Sequence, residues 1–248
     1  MPAPTEPSTL PARTSAPAET GGAAELMMML LADARLPTGA HTQSAGLEPA
    51  LRAGMSMAEL PGYLTARLRT VTAVEAGAAV VARRVALDDP DPTDLTERLA
   101  AVDAAWRART VSPALREVSA MLGRGYLRLV RRVWPTDAGI CAVAALTRPG
   151  RAVVLGAAAA AAGLSAAQLV RLMGYEDVQT VSAAALKLEP TDPVLATLWV
   201  VRAAPEIERM VSALSDLREV AEIPARGAPL LEQWAEVHAL STQRLFRA

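Results

Sequence analysis

Several kinds of residue are nearly missing from this chain. Cysteine occurs once, at Cys141, phenylalanine once, at Phe246, and lysine once, at Lys187. A single cysteine excludes an internal disulfide and fits a reducing compartment. Aromatic residues make up only 3% of a sequence that is 52% hydrophobic. Ala and Leu must then fill the interior, which favours closely packed helices over a sandwich of Val-, Ile- and Tyr-rich strands. There is no G-x-x-x-x-G-K-[ST] loop to cradle phosphates and no G-x-G-x-x-G, so nucleotide hydrolysis by the chain itself is not expected. His41, His238 and Cys141 are the only soft metal ligands. They are far apart and lack a C-x-x-C or H-x-x-x-H pairing, so neither a metal nor another cofactor is expected.

The longest apolar run, residues 152–164, is shorter than the roughly 20 residues a membrane span needs. The formal net charge is −1, which gives no general field towards nucleic acid or an anionic membrane. Residues 1–22 are rich in Pro, Ala, Ser and Thr without the basic-then-apolar order of a secretory signal. The expectation is a cytoplasmic protein with a disordered N-terminal tail over 1–22.

A chain of 248 residues could fold as one large domain or two small ones. Apolar residues at three- and four-residue intervals dominate it. Leu64, Leu68, Val71, Val74, Ala78, Val81 and Val85 form one such stripe, and no alternating pattern is long enough for a sheet. Ser56-x-x-Glu59 and Ser165-x-x-Gln168 read as capping boxes that open helices. Pro61 is expected to break or kink the start of the first of these, and Pro205 to kink or break a later helix. The segment 93–133 is expected to give two or three helices, divided near Ser112-Pro113 and Gly123. Residues 151–162 are nearly all small and end at Gly163, a suitable residue beyond a helix C-terminus. So little side chain favours central burial, where neighbours approach the backbone closely. The predicted fold is all-α: a single-domain bundle of about eight to ten helices over 23–222, followed by a loosely patterned tail over 223–248 with one helix near 230–238.

The stretch 30–48 organises the rest. An apolar helix over 26–32 ends before Pro37, which pushes Leu36 towards an extended conformation. Gly39 permits a sharp reversal, and Ser44 is placed to cap a second short helix carrying Gly46, Leu47 and Glu48. The pattern Leu36-Pro37-x-Gly39-Ala40, then Ser44-x-Gly46-Leu47-Glu48, resembles the opening motif of the urease accessory protein family UreF. At the other end, His238 followed by Arg244-Leu245-Phe246-Arg247 resembles that family's closing motif. The resemblance spans about residues 26–247. Its departures are His41-Thr42-Gln43 after Ala40, Lys187-Leu188-Glu189-Pro190-Thr191-Asp192 in the middle, and Ala239 and Gln243 in the tail.

The resemblance implies an all-α protein that has no catalytic centre. It implies a homodimer that binds UreD (also called UreH) and recruits the GTPase UreG to apo-urease for nickel insertion, with neither nucleic acid nor membrane as a partner. It places Leu36, Pro37, Gly39, Ser44, Gly46, Leu47 and Glu48 in a front partner-binding surface, and Arg244, Leu245 and Phe246 in a partner-binding tail. Met27, Met28 and Met29 are either core filler or, as the family's first helix suggests, a partner contact. Phe246 has no obvious core to join: either the tail folds back on its own helices or, in the sharper reading, Phe246 is an anchor that becomes ordered on a partner. On that reading, removal of residues 241–248 would leave the melting temperature nearly unchanged.

Two other features have bland and sharp readings. Asp33, His41 and Ser44 could make a hydrolase-like set, but no nucleophile-elbow sequence surrounds Ser44, and capping explains it. Arg124, Arg128, Arg131 and Arg132 could dock an acidic partner, or be a solvated face partly balanced by Asp88, Asp89, Asp91, Asp94 and Glu97. A helical adaptor unrelated to urease is the remaining alternative.

Overall fold

The computed structural model describes residues 20–88, 91–242 and 245–246, with the side chains of Thr20 and Gly21 left aside. Residues 1–19 of the tail expected over 1–22, and Asp89, Pro90, Gln243, Arg244, Arg247 and Ala248, lie outside the described residues. Among those described there is no β-strand, and the fold is all-α.

The helices are α1 (Thr20–Leu31), α2 (Leu47–Arg52), α3 (Leu60–Arg67), α4 (Ala73–Leu87), α5 (Pro92–Arg109) and α6 (Pro113–Val133). They continue as α7 (Ala138–Ala145), α8 (Arg151–Ala161), α9 (Ala166–Leu188), α10 (Pro193–Leu214) and α11 (Pro229–Leu240). A π turn over Leu68–Thr72 joins α3 to α4 without a break. Both capping boxes form, at Ser56 with Glu59 and at Ser165 with Gln168.

The core is built on α8. It packs chiefly against α4, with α6 and α7 on its other sides, and all residues from Arg151 to Ala159 are buried. Small residues allow this: a Cβ on Gly156 would lie 2.5 Å from the Ala79 carbonyl oxygen and 2.8 Å from the Arg83 amide nitrogen. The second pairing is α9 against α10. Of the apolar stripe read from the sequence, Val71 is half-buried and the other six residues are buried.

Four local expectations are corrected. Pro61 does not break its helix, because it sits in the first turn of α3, where a missing N–H leaves no bond unmade. Pro205 does not break its helix: it lies inside α10, which runs on through it. Gly123 does not divide the segment 93–133. It lies within α6, where a Cβ would meet the Pro149 carbonyl oxygen at 2.4 Å, so its smallness serves packing. Residues 20–22, read as tail, begin α1.

The described residues of 223–248 are not loose. Ile223, Ala228, Leu231 and Phe246 join the same buried cluster as the bundle, and α11 packs on α6 and α2. No helix among the described residues is long and apolar enough to cross a membrane.

Candidate partner-binding surface

The loop between α1 and α2 is held from three sides. On α6, Gly125 lets the loop backbone approach closely: a Cβ there would lie 2.4 Å from the Thr38 carbonyl oxygen. One turn on, Arg128 Nη2 donates to the Pro37 carbonyl at 3.0 Å. On α3, the Tyr63 hydroxyl and Arg67 Nη1 both donate to the Ala45 carbonyl, at 2.6 and 2.7 Å. Ala45 has φ of 50°, a left-handed conformation costly for a residue with a Cβ, and these two bonds help hold it there. Gly46 follows with φ of 81°, and a Cβ on it would lie 2.8 Å from the Tyr63 hydroxyl. On α9, Asp177 anchors Arg67 by a two-pronged ion pair, at 3.0 and 2.5 Å, buried on both sides. Burial alone would push the Asp177 carboxyl up; the Arg67 guanidinium outweighs it and holds the group below the usual carboxylate range.

Glu48 is where the two ends of the chain meet. It is 1% exposed. Its Oε1 accepts the Leu245 N–H at 2.8 Å and its Oε2 the Phe246 N–H at 2.9 Å. His238 Nε2 lies 3.2 Å from Oε2, so Nε2 is the ring nitrogen that carries a proton. Arg52 Nη2 pairs with Oε1 at 2.7 Å. Burial pushes Glu48 up, but the two backbone N–H groups, aided by Arg52 and His238, win and hold it below its ordinary value. The motif at residues 36–48 and the motif at 238–247 are therefore one structure, joined at a carboxylate.

The ten predicted site residues divide. Pro37 is exposed, and Leu36, Gly39 and Gly46 are half-buried. Leu245 is 64% exposed. Ser44, Leu47 and Glu48 are buried and lie behind the surface, where they shape it. Arg244 is outside the described residues. Two expectations change. Ser44 does not cap α2; Gly46 holds the N-cap position, while the Ser44 hydroxyl accepts the Glu48 N–H at 3.4 Å. Phe246 is not an exposed anchor. It is 4% exposed, with the Lys187 ammonium 5.3 Å from its ring centre. Of the methionines on α1, Met27 and Met28 pack on the core, while Met29 is exposed beside Leu26 and Leu30.

The hydrolase-like set is not assembled. Asp33 is turned onto Arg35, with contacts from 2.6 to 3.1 Å. The Ser44 hydroxyl is engaged by Glu48, and among the described residues no hydrogen bond joins the His41 side chain to either. A cavity of about 130 Å³ lies under the loop, lined in part by Gln43, Arg67, Glu75, Arg151 and Asp177. Its charges are committed to one another: Arg67 to Asp177, and Arg151 to Glu75 at 2.6 Å. No group of three or more His, Cys, Asp or Glu residues is placed to hold a metal ion among the described residues.

The described residues make an all-α body whose opening loop and closing tail meet at Glu48. A sequence profile described as UreF matches residues 55–204. Proteins named urease accessory protein UreF from Mycobacterium tuberculosis H37Rv and Mycobacterium marinum are each 34% identical over 226 residues, covering 89% of this chain and 97% of theirs. The namesake from Mycolicibacterium vanbaalenii is 34% identical over 223 residues, covering 88% of this chain and 96% of its own. The chain belongs to the UreF family of urease accessory proteins, which are maturation factors rather than enzymes.

Arg67, Asp177 and Tyr63, which fix the loop, were not legible in the sequence. A lone Arg and a lone Asp separated by 110 positions carry no local signal.

Proposed function

We propose that this chain is the cytoplasmic scaffold that binds UreD (UreH) and with it recruits the GTPase UreG to apo-urease, so that nucleotide hydrolysis is coupled to nickel insertion. The observation that supports this is the union of the two end motifs at Glu48. It presents Leu36, Pro37, Gly39 and Leu245 outward on a buried frame of Ser44, Leu47, Glu48 and Phe246. Preorganising a loop in this way lowers the ordering cost of binding. Arg244 adds a charge-assisted contact to the partner.

Co-expression with a UreD homologue is the test. The two should co-purify, and Leu245→Ala combined with Arg244→Ala should weaken the complex by about 1–3 kcal/mol, the scale of losing interfacial anchors. Failure of the wild-type chain to co-purify would count against the accessory role.

The expected homodimer draws support from α10, which exposes Val194, Leu195, Leu198 and Val201 at helical spacing, an apolar stripe that no described residue covers. Light scattering should give twice the chain mass, and Leu198→Glu should return the monomer. A monomeric wild-type chain at micromolar concentration would remove self-association through this face.

A further inference from the structure

The four arginines of α6 are a different surface. Arg124, Arg128, Arg131 and Arg132 are all exposed on that helix. Their spacing puts Arg124, Arg128 and Arg131 in one stripe about 10 Å long at 1.5 Å of rise per residue. Two of the carboxylates expected to balance them are engaged elsewhere. Asp88 and Asp94 both pair with Arg98. Glu117, the acidic residue of α6 itself, pairs with Arg148. Among the described residues, no carboxylate forms an ion pair with any of the four.

The dipole of α6 accounts for part of this, since cations are stabilised in a helix's last turn. It covers Arg131 and Arg132 but fades within a turn, so it does not reach Arg124 or Arg128. Those two flank an open cleft of about 410 Å³ between α6 and the loop, walled by Pro37, Thr38, Gly39 and Met121. The bond from Arg128 to the Pro37 carbonyl fixes one rim, and the Arg124 guanidinium makes no hydrogen bond among the described residues.

We propose that this face docks an acidic polypeptide segment of a partner protein, with carboxylates taken by Arg124, Arg131 and Arg132 and the chain lying along the cleft. The proposal deepens the accessory role by giving the partner's chemistry, and rests on that role only for which partner is met. A single-stranded nucleic acid would want stacking platforms, and the one aromatic within α6, Tyr126, is buried. A membrane surface would want an apolar rim, and Val133 is the only large apolar side chain that α6 exposes.

The test uses the full chain and a fluorescein-labelled peptide of alternating Glu and Gly, followed by anisotropy. Arg124→Glu/Arg131→Glu/Arg132→Glu is compared with Arg84→Glu/Arg202→Glu/Arg226→Glu, which reverses the same charge on exposed arginines outside α6. Circular dichroism checks that both triple variants fold. The α6 variant should bind the peptide at least about tenfold more weakly, and the control should match the wild type, with salt weakening whatever binding remains. Absence of binding by the wild type, or equal loss in both triples, overturns the proposal. So does tighter binding of phosphatidylserine vesicles or duplex DNA through the same arginines, or displacement of the peptide by inorganic phosphate at equal concentration. Co-purification with the UreD homologue is read in parallel: its failure counts against the accessory role and leaves the peptide result standing.

Discussion

Asp177→Ala should be among the most destabilising single substitutions in the protein, at about 3–5 kcal/mol. The reason lies in what remains. Arg67 would keep its charge while buried in α3, because a guanidinium does not deprotonate, and its carboxylate partner at 2.5 and 3.0 Å would be gone. A buried charge without its partner costs more than the pair contributes. The Ala45 carbonyl would still accept from Tyr63, but the second donor, Arg67 Nη1, would be drawn towards water. The left-handed Ala45 and the loop before it should then loosen together. Asp177→Asn keeps the shape and one acceptor, so it should fall between wild type and Ala. Urea unfolding followed by circular dichroism reads the stability, and the shift in melting temperature should be on the order of 10 °C for a chain of this size. A loss below about 1 kcal/mol would mean that water reaches the pair and that α6 and Tyr63 hold the loop without it.

That pair also marks what the sequence could and could not reveal. The helices were legible because periodicity and caps are local: Ser165 with Gln168 opens α9 as its spacing predicts. The smallness of residues 151–162 pointed correctly to a central helix, since only a stripe of Ala and Gly lets α4 come so near. Proline and glycine are less legible. Pro61 and Gly123 each break helices in general, yet the first falls in a first turn and the second under a crossing backbone, and neither fact is written in its neighbours. The positions of the site motifs were legible, but their union was not. Nothing in residues 36–48 shows that Glu48 will accept N–H groups from residues 245 and 246, and nothing around Phe246 shows a core 200 residues upstream in the chain to receive it. Side chains that hydrogen-bond across such separations leave no periodic trace.

Glu48→Ala should free the C-terminal tail. In the wild type this carboxylate takes two backbone N–H groups and faces His238 and Arg52, and no other acceptor in the described structure receives the Leu245 and Phe246 amides. Left in place without it, those donors would each cost about 1–3 kcal/mol. Undocking lets water satisfy them instead, at the expense of the apolar burial of Phe246, about 1.5–3 kcal/mol. The cheaper route wins, so the variant should lose roughly 2–3 kcal/mol while the tail amides open. Removal of residues 241–248 should also destabilise, contrary to an unanchored tail, because Phe246 is part of the core. The pH dependence follows from the sign of the Glu48 shift. Its carboxyl is held below the ordinary value of 4.5, so its stabilisation is present above that unfolded value and is lost as pH falls through the lower folded one. Hydrogen exchange at Leu245 and Phe246 should therefore accelerate on acidification below about pH 4.5 in the wild type, and should be fast and flat with pH, beyond intrinsic chemistry, in Glu48→Ala. Glu48→Gln, with one acceptor oxygen and no charge, should protect the amides partly and lose the pH step. If the amides of the Ala variant stay as protected as in the wild type, the packing of Phe246 beside Lys187 holds the tail without Glu48, and the two end motifs are neighbours rather than a lock.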